Sequence, residues 1–255
     1  MRYALIPLAV ATAVAVLPPA SAGAAAYPVK SRILTDNPLY DAGPLATTSC
    51  PEKPVKRLSL SSAKSYLNGV RACLDRTWAA HLRKADIKFS KPKFVYAAKP
   101  PKKYCGEKWD KEWLEFYCAD SRTVLLLIEK DLLEEPEDLF LFNLIAMDYG
   151  RHVQNLAGIE RAYEKIPYRN KSEMLEQDRR YSVQSDCLAG AFIGSVWDSL
   201  DRDKEDWADL LSYIRDWAGK TTGTRKTITY WAERGFKSGD PGSCDTWSAP
   251  SSRVA

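Results

Sequence analysis

The sequence predicts an α+β fold, mainly helical with a small β-sheet and stapled by disulfides. Segments with helical apolar spacing stand on both sides of three short β-rich segments. The order helix, small sheet, then several helices is that of an α+β protein, not of an alternating α/β one. All six cysteines lie beyond the first 49 residues of a 255-residue chain that opens like an exported one, and an even count in an oxidising compartment favours pairing.

In chain order, "MRYALIPLAVATAVAVLPPASAGAAA" (1–26) has an early Arg, an apolar run and a small-residue exit. That is the pattern of a signal peptide, with cleavage expected after Ala22 or Ala26. No later apolar segment reaches the roughly 20 residues a membrane span needs. Residues 27–57, rich in Pro, Ser and Thr, are expected as an extended lead-in to a domain over 58–255. Tyr66, Val70, Cys73, Leu74, Trp78 and Leu82 recur at helical spacing. "KFVYAA", "LEFYCA" and "RTVLLLIE" are bounded by Pro, Gly or charges and are predicted as strands. "EEPEDLFLFNLIAMDYGRHVQNLAG" begins with acids and a Pro and stops at Gly158, the start and stop signals of a helix. Further helices are expected over Ser172–Leu200, Lys204–Ala218 and Arg225–Phe236, followed by a turn-rich tail, "KSGDPGSCDTW".

A net charge of +4 is too mild to argue for nucleic acid. Eight Lys or Arg do cluster between Arg83 and Lys103 against the single acid Asp86, and an acidic stretch from Glu129 to Asp138 offsets them. The cluster reads first as a solvated face, with an anionic envelope polymer as the alternative ligand. Six cysteines can pair in many ways, and sequence alone does not choose among them. The expectation taken forward is Cys50–Cys73 and Cys105–Cys118, both near neighbours, with Cys187–Cys244 fastening the tail to a helix.

The chemistry on offer is narrow. His81 and His152 are the only histidines, and no G-x-S-x-G elbow accompanies them. His81, at a charged helix end, is expected at the surface. The eight Trp would serve a carbohydrate groove, but core packing is the default reading. The informative stretches are "AMDYGRHVQN" and "RRYSVQSDCLAG". Met147 and Arg151 are i and i+4 on one helix face, the spacing by which H-E-x-x-H sets two imidazoles on one zinc with the Glu beside its water. Ser182 and Asp186 have the same relation on the following helix.

These motifs resemble the neutral zinc metallopeptidase family, secreted zincin-like proteins whose helix reads H-E-Y-G-H-H-V-Q. Tyr149, Gly150, His152, Val153 and Gln154 match it, and Gln184, Asp186, Cys187, Ala189 and Gly190 match the family's E-L-Q-A-D-C-x-A-G. "ACLDRTW", Cys105 to Cys118 and "RGFKSGDPGSCDTW" extend the likeness over nearly the whole mature chain. The resemblance implies a zincin-like fold, a zinc cofactor and a peptide cleft. The departures fall on the chemistry: Met147 and Arg151 replace the two His, Asp148 the catalytic Glu, and Ser182 the third ligand.

A thioether suits soft Cu(I) better than zinc, and Arg151 has no lone pair and stays cationic. Asp148 sits about 1.5 Å back from where Glu would reach, and a misplacement of about 1 Å can cost about 100-fold. The zinc of the family is therefore expected to be lost. Arg151 is expected to pair with Asp148 or Asp186 in place of the ion, and the retained Asp186 keeps its carboxylate. Asp148 with His152 is the weaker alternative metal pair, a backbone-bonded His152 the main expectation. The chain is then read as a secreted or cell-envelope pseudopeptidase that holds a peptide or protein in a retained cleft. Its rivals are a divergent peptidase with an unusual metal set and an envelope- or carbohydrate-binding protein.

Overall fold

The structure, a computed structural model, describes residues 29–134 and 138–255. The signal peptide expected over 1–26 lies outside the described residues. The lead-in is not simply extended. It forms two one-turn helices, α1 (Arg32–Thr35) and α2 (Pro38–Asp41). Asn37 caps α2 by accepting from Leu39 N–H, with Pro38 at the first helical position, where its missing N–H costs nothing. Leu34 and Leu39 are fully buried there, which ties this segment into the main core.

Helix α3 (Leu60–Lys84) begins at a Ser59 cap. It is followed by β1 (Lys93–Ala97), a short hairpin of β2 (Lys103–Tyr104) and β3 (Glu107–Lys108), then β4 (Glu115–Cys118) and β5 (Thr123–Leu127). The sheet order is β1-β5-β4, with β1 parallel and β4 antiparallel to the central β5. Val124 and Leu126 face the helices, while Leu125 and Leu127 pack under Trp109 on the other face, against Tyr104, Trp113 and Phe116. After α4 (Lys130–Glu134) comes the central helix α5 (Asp138–Leu156), buried along nearly its whole length, then α6 (Ile159–Tyr163), α7 (Lys171–Val196), α8 (Lys204–Ile214) and α9 (Arg225–Ser238). The β2–β3 hairpin, α4 and α6 were not expected from sequence. Each is too short for a periodic signal.

Helix α7 crosses α5 and α9 closely because glycines remove side chains at the contacts. A Cβ on Gly150 would lie 3.1 Å from Ser185 O, and one on Gly235 would lie 1.9 Å from Cys187 O. The disulfides are Cys50–Cys73, Cys105–Cys118 and Cys187–Cys244, the three pairs expected, and among the described residues no cysteine is free. No helix of the described residues is long and apolar enough to cross a membrane.

Candidate functional site

The site is built on α5 where it passes between β4 and α7. Met147 is buried in the apolar core. One turn on, Arg151 points its guanidinium toward the sheet: Nη1 donates to Glu115 Oε2 at 2.7 Å and to Asp148 Oδ1 at 3.2 Å. Asp148 is fully buried, while Arg151 keeps 23% of its side chain exposed. The expected Asp148 partnership is present, but the stronger contact is to Glu115, a residue that sequence reasoning missed. A signal for it existed. Glu115 and Tyr117 share one face of a strand by the period-2 rule, so a carboxylate stood in line with a buried ring.

Charge is unbalanced here. Asp148 Oδ2 has no hydrogen-bond partner, and burial, with Glu115 alongside, holds its carboxyl well above the usual range despite Arg151. Asp186 is pushed up to about 7 by burial, with Arg151 opposing. Glu160 on α6 is likewise pushed up to about 7, by burial and then by Glu164, and its Oε2 is buried without a partner. Burial alone would lower the Arg151 guanidinium, but Glu115 and Asp148 raise it above its ordinary value. Asp186 feels Arg151 electrostatically but makes no hydrogen bond to it. The Ser182 hydroxyl is joined to neither Asp148 nor Arg151, and its carbonyl accepts from Ser185 Oγ at 2.6 Å.

His152 belongs to a separate network. Its Nε2 lies 2.7 Å from Ser90 O, a group that only accepts, so Nε2 carries the proton. Nδ1 then accepts from the Tyr117 hydroxyl at 2.8 Å, whose oxygen in turn accepts from Asn155 Nδ2 at 2.8 Å. Burial lowers His152 to about 4, which keeps the ring neutral. Both nitrogens are engaged by protein groups, so none is left to share an ion with Asp148. The network fastens α5 to β4 and thereby places Glu115 opposite Arg151. His81 is not at the surface as expected. It is 2% exposed, edge-on to Trp78, with Nε2 3.4 Å from Leu39 O. Its cover comes from α2, far upstream in sequence.

The residues present do not fit a catalytic zinc. Of the positions that would hold it, one is a buried thioether, one a guanidinium already paired to two carboxylates, and one a hydroxyl. Among the described residues no group of three or more His, Cys, Asp or Glu is arranged to hold an ion.

A family profile described as "Putative neutral zinc metallopeptidase" matches residues 47–211. Two relatives, each called "Uncharacterized protein YpfJ", come from Escherichia coli strain K12 and from Escherichia coli O6:H1. Each is 26% identical over 208 residues, covering 72% of this chain and 71% of its own. No solved structure matches at a significant level. With the match spanning well over half of its length, the chain belongs to the neutral zinc metallopeptidase family.

Proposed function

We propose that this chain is an exported, non-catalytic member of its family, acting by holding a peptide or cell-envelope partner that it does not cut. The observation that carries the reading is Arg151, whose guanidinium, 2.7 Å from Glu115 and 3.2 Å from Asp148, stands where the resembled helix has its second imidazole. A fixed cation repels a dication, and paired to those carboxylates it also takes up the charge an ion would use. Asp148 then has no metal-bound water to activate. Export is supported by the leader pattern of residues 1–26 and by three disulfides.

The test compares the purified, oxidised protein with a variant carrying Met147→His, Asp148→Glu, Arg151→His and Ser182→Glu. Elemental analysis and a peptidase assay are run on both. The expected result is no stoichiometric metal and no hydrolysis for the natural chain, and about one zinc per chain for the variant. Stoichiometric metal together with peptide hydrolysis by the natural chain would overturn the reading.

A further inference from the structure

One edge of the sheet, that of β1, is unpaired among the described residues. Among the described residues β1 is flanked only by β5, and its parallel register runs from Lys93↔Thr123 to Ala97↔Leu127. Lys93 N–H donates to Arg122 O and Ala97 O accepts from Ile128 N–H, each at 2.8 Å. Residues 93, 95 and 97 therefore turn their main-chain groups toward β5. Those of Phe94 and Tyr96 point the other way, where no hydrogen-bond partner meets them among the described residues.

A groove of about 630 Å³ lies at the start of β1, lined by Arg71 and Asp75 of α3, by Lys91, Lys93, Phe94 and Val95, and by Thr123 of β5. Side chains from both faces of β1 take part, so the groove reaches the edge beside Phe94, and Val95 is 46% exposed in it. Its charge is positive. Asp75 is spent inward, accepting from Tyr149 Oη at 2.7 Å and pairing with Lys91 at 3.1 Å. Arg71 lies over the Phe94 ring, and neither it nor Lys93 has an ion-pair partner among the described residues.

We propose that the open edge of β1 is a docking site for an extended acidic peptide segment of a partner protein, which adds to the sheet as a further strand. Unpaired N–H and C=O groups at alternate residues are what an incoming strand satisfies. The flanking cations select carboxylate side chains on it. A second copy of this chain is a poor occupant, because edge-to-edge pairing would set Arg71, Lys91 and Lys93 against their own counterparts. An anionic polysaccharide would meet the cations but lacks the regularly spaced N–H and C=O groups that pair with those of Phe94 and Tyr96. β1 and β4 form opposite edges of the sheet, so this site is independent of whether the Arg151 pocket is catalytic.

The probe is a short, capped, fluorescent peptide alternating Glu with Thr, titrated by anisotropy into the full oxidised protein. Its Lys-for-Glu counterpart, a version N-methylated at alternate residues, and soluble alginate are compared. Saturable binding of the Glu peptide, weakened by salt and lost with the Lys peptide and the N-methylated peptide, is the expected result. Arg71→Glu with Lys93→Glu should weaken it about tenfold or more. The N-methyl comparison uses the natural chain and does not depend on a variant that folds. Failure of the Glu peptide to saturate, or equal binding after N-methylation, would overturn strand addition. Alginate binding that the peptide cannot displace would overturn it in favour of a polymer surface.

Discussion

Two arginines, placed a turn or so from the α5–α7 contact, answer the same problem differently. Arg180 on α7 is 1% exposed, yet every partner it has is matched to it. Its guanidinium meets Glu176 Oε1 at 2.6 Å and the carbonyls of Thr246, Trp247 and Ala249, which close the C-terminal tail over the helix. Arg151 is more exposed but sits among more carboxylates than one cation can neutralise, with Asp148 Oδ2 and Glu160 Oε2 unpartnered. One arginine closes a fold. The other fills a polar pocket in which burial raises Asp148, Asp186 and Glu160 toward their protonated forms, where Arg180 has a matched set of acceptors.

The sharpest way to break this contrast is Arg180→Met, which takes the donor from three carbonyls and leaves Glu176 with only the Ser251 hydroxyl. Urea unfolding should report a loss of about 3–5 kcal/mol. A loss near that of an ordinary surface change would mean the clasp is ornamental. Arg151→Ala should cost less, about 1–3 kcal/mol, because Arg151 is 23% exposed and Asp148, already raised by burial, holds its proton more firmly once the cation is gone. Equal losses for the two variants would erase the distinction.

Asp186→Asn sharpens it through pH. Asp186 is raised from 3.8 to about 7 in the folded protein, so between those values the native state holds a proton that the unfolded chain releases. Its contribution is therefore fully present in acid and is lost as pH rises toward about 7, with a slope of at most about 1.4 kcal/mol per pH unit. Asn cannot titrate, so the variant should gain on the natural chain from about pH 4 to about pH 7. His152, lowered to about 4, acts in the opposite sense, so the difference between the two stability curves is what is measured. A flat difference would place Asp186 outside the charge surplus. Lys237→Ala, which breaks an exposed pair to Glu233 at 3.1 Å, should change stability by only about 0.3–0.5 kcal/mol and sets the scale for the rest.

The long helices and the three main strands were legible because each has a local signature of period or caps, whereas the disulfide pairs, though chosen correctly, were one choice among many that sequence alone does not settle. The Arg151–Asp148 contact was legible too, since two residues three apart on a helix share a face. Glu115 was not, because its role depends on the register that brings β4 beside α5. His81 was misjudged for the same kind of reason. A charged helix end looks solvated until a segment about forty residues away folds over it.

The tail clasp lies against the lead-in. Gln184 Nε2 reaches both Tyr40 Oη at 2.8 Å and Cys244 O at 3.0 Å, and Leu45 N–H donates to Gly239 O at 2.8 Å. The polypeptide is thus fastened near both ends of its described length to one stretch of α7. Mechanically that is a closed buckle. Tension applied across residues 31 and 247 would load these bonds and the Cys187–Cys244 bridge before it reached the pocket around Arg151.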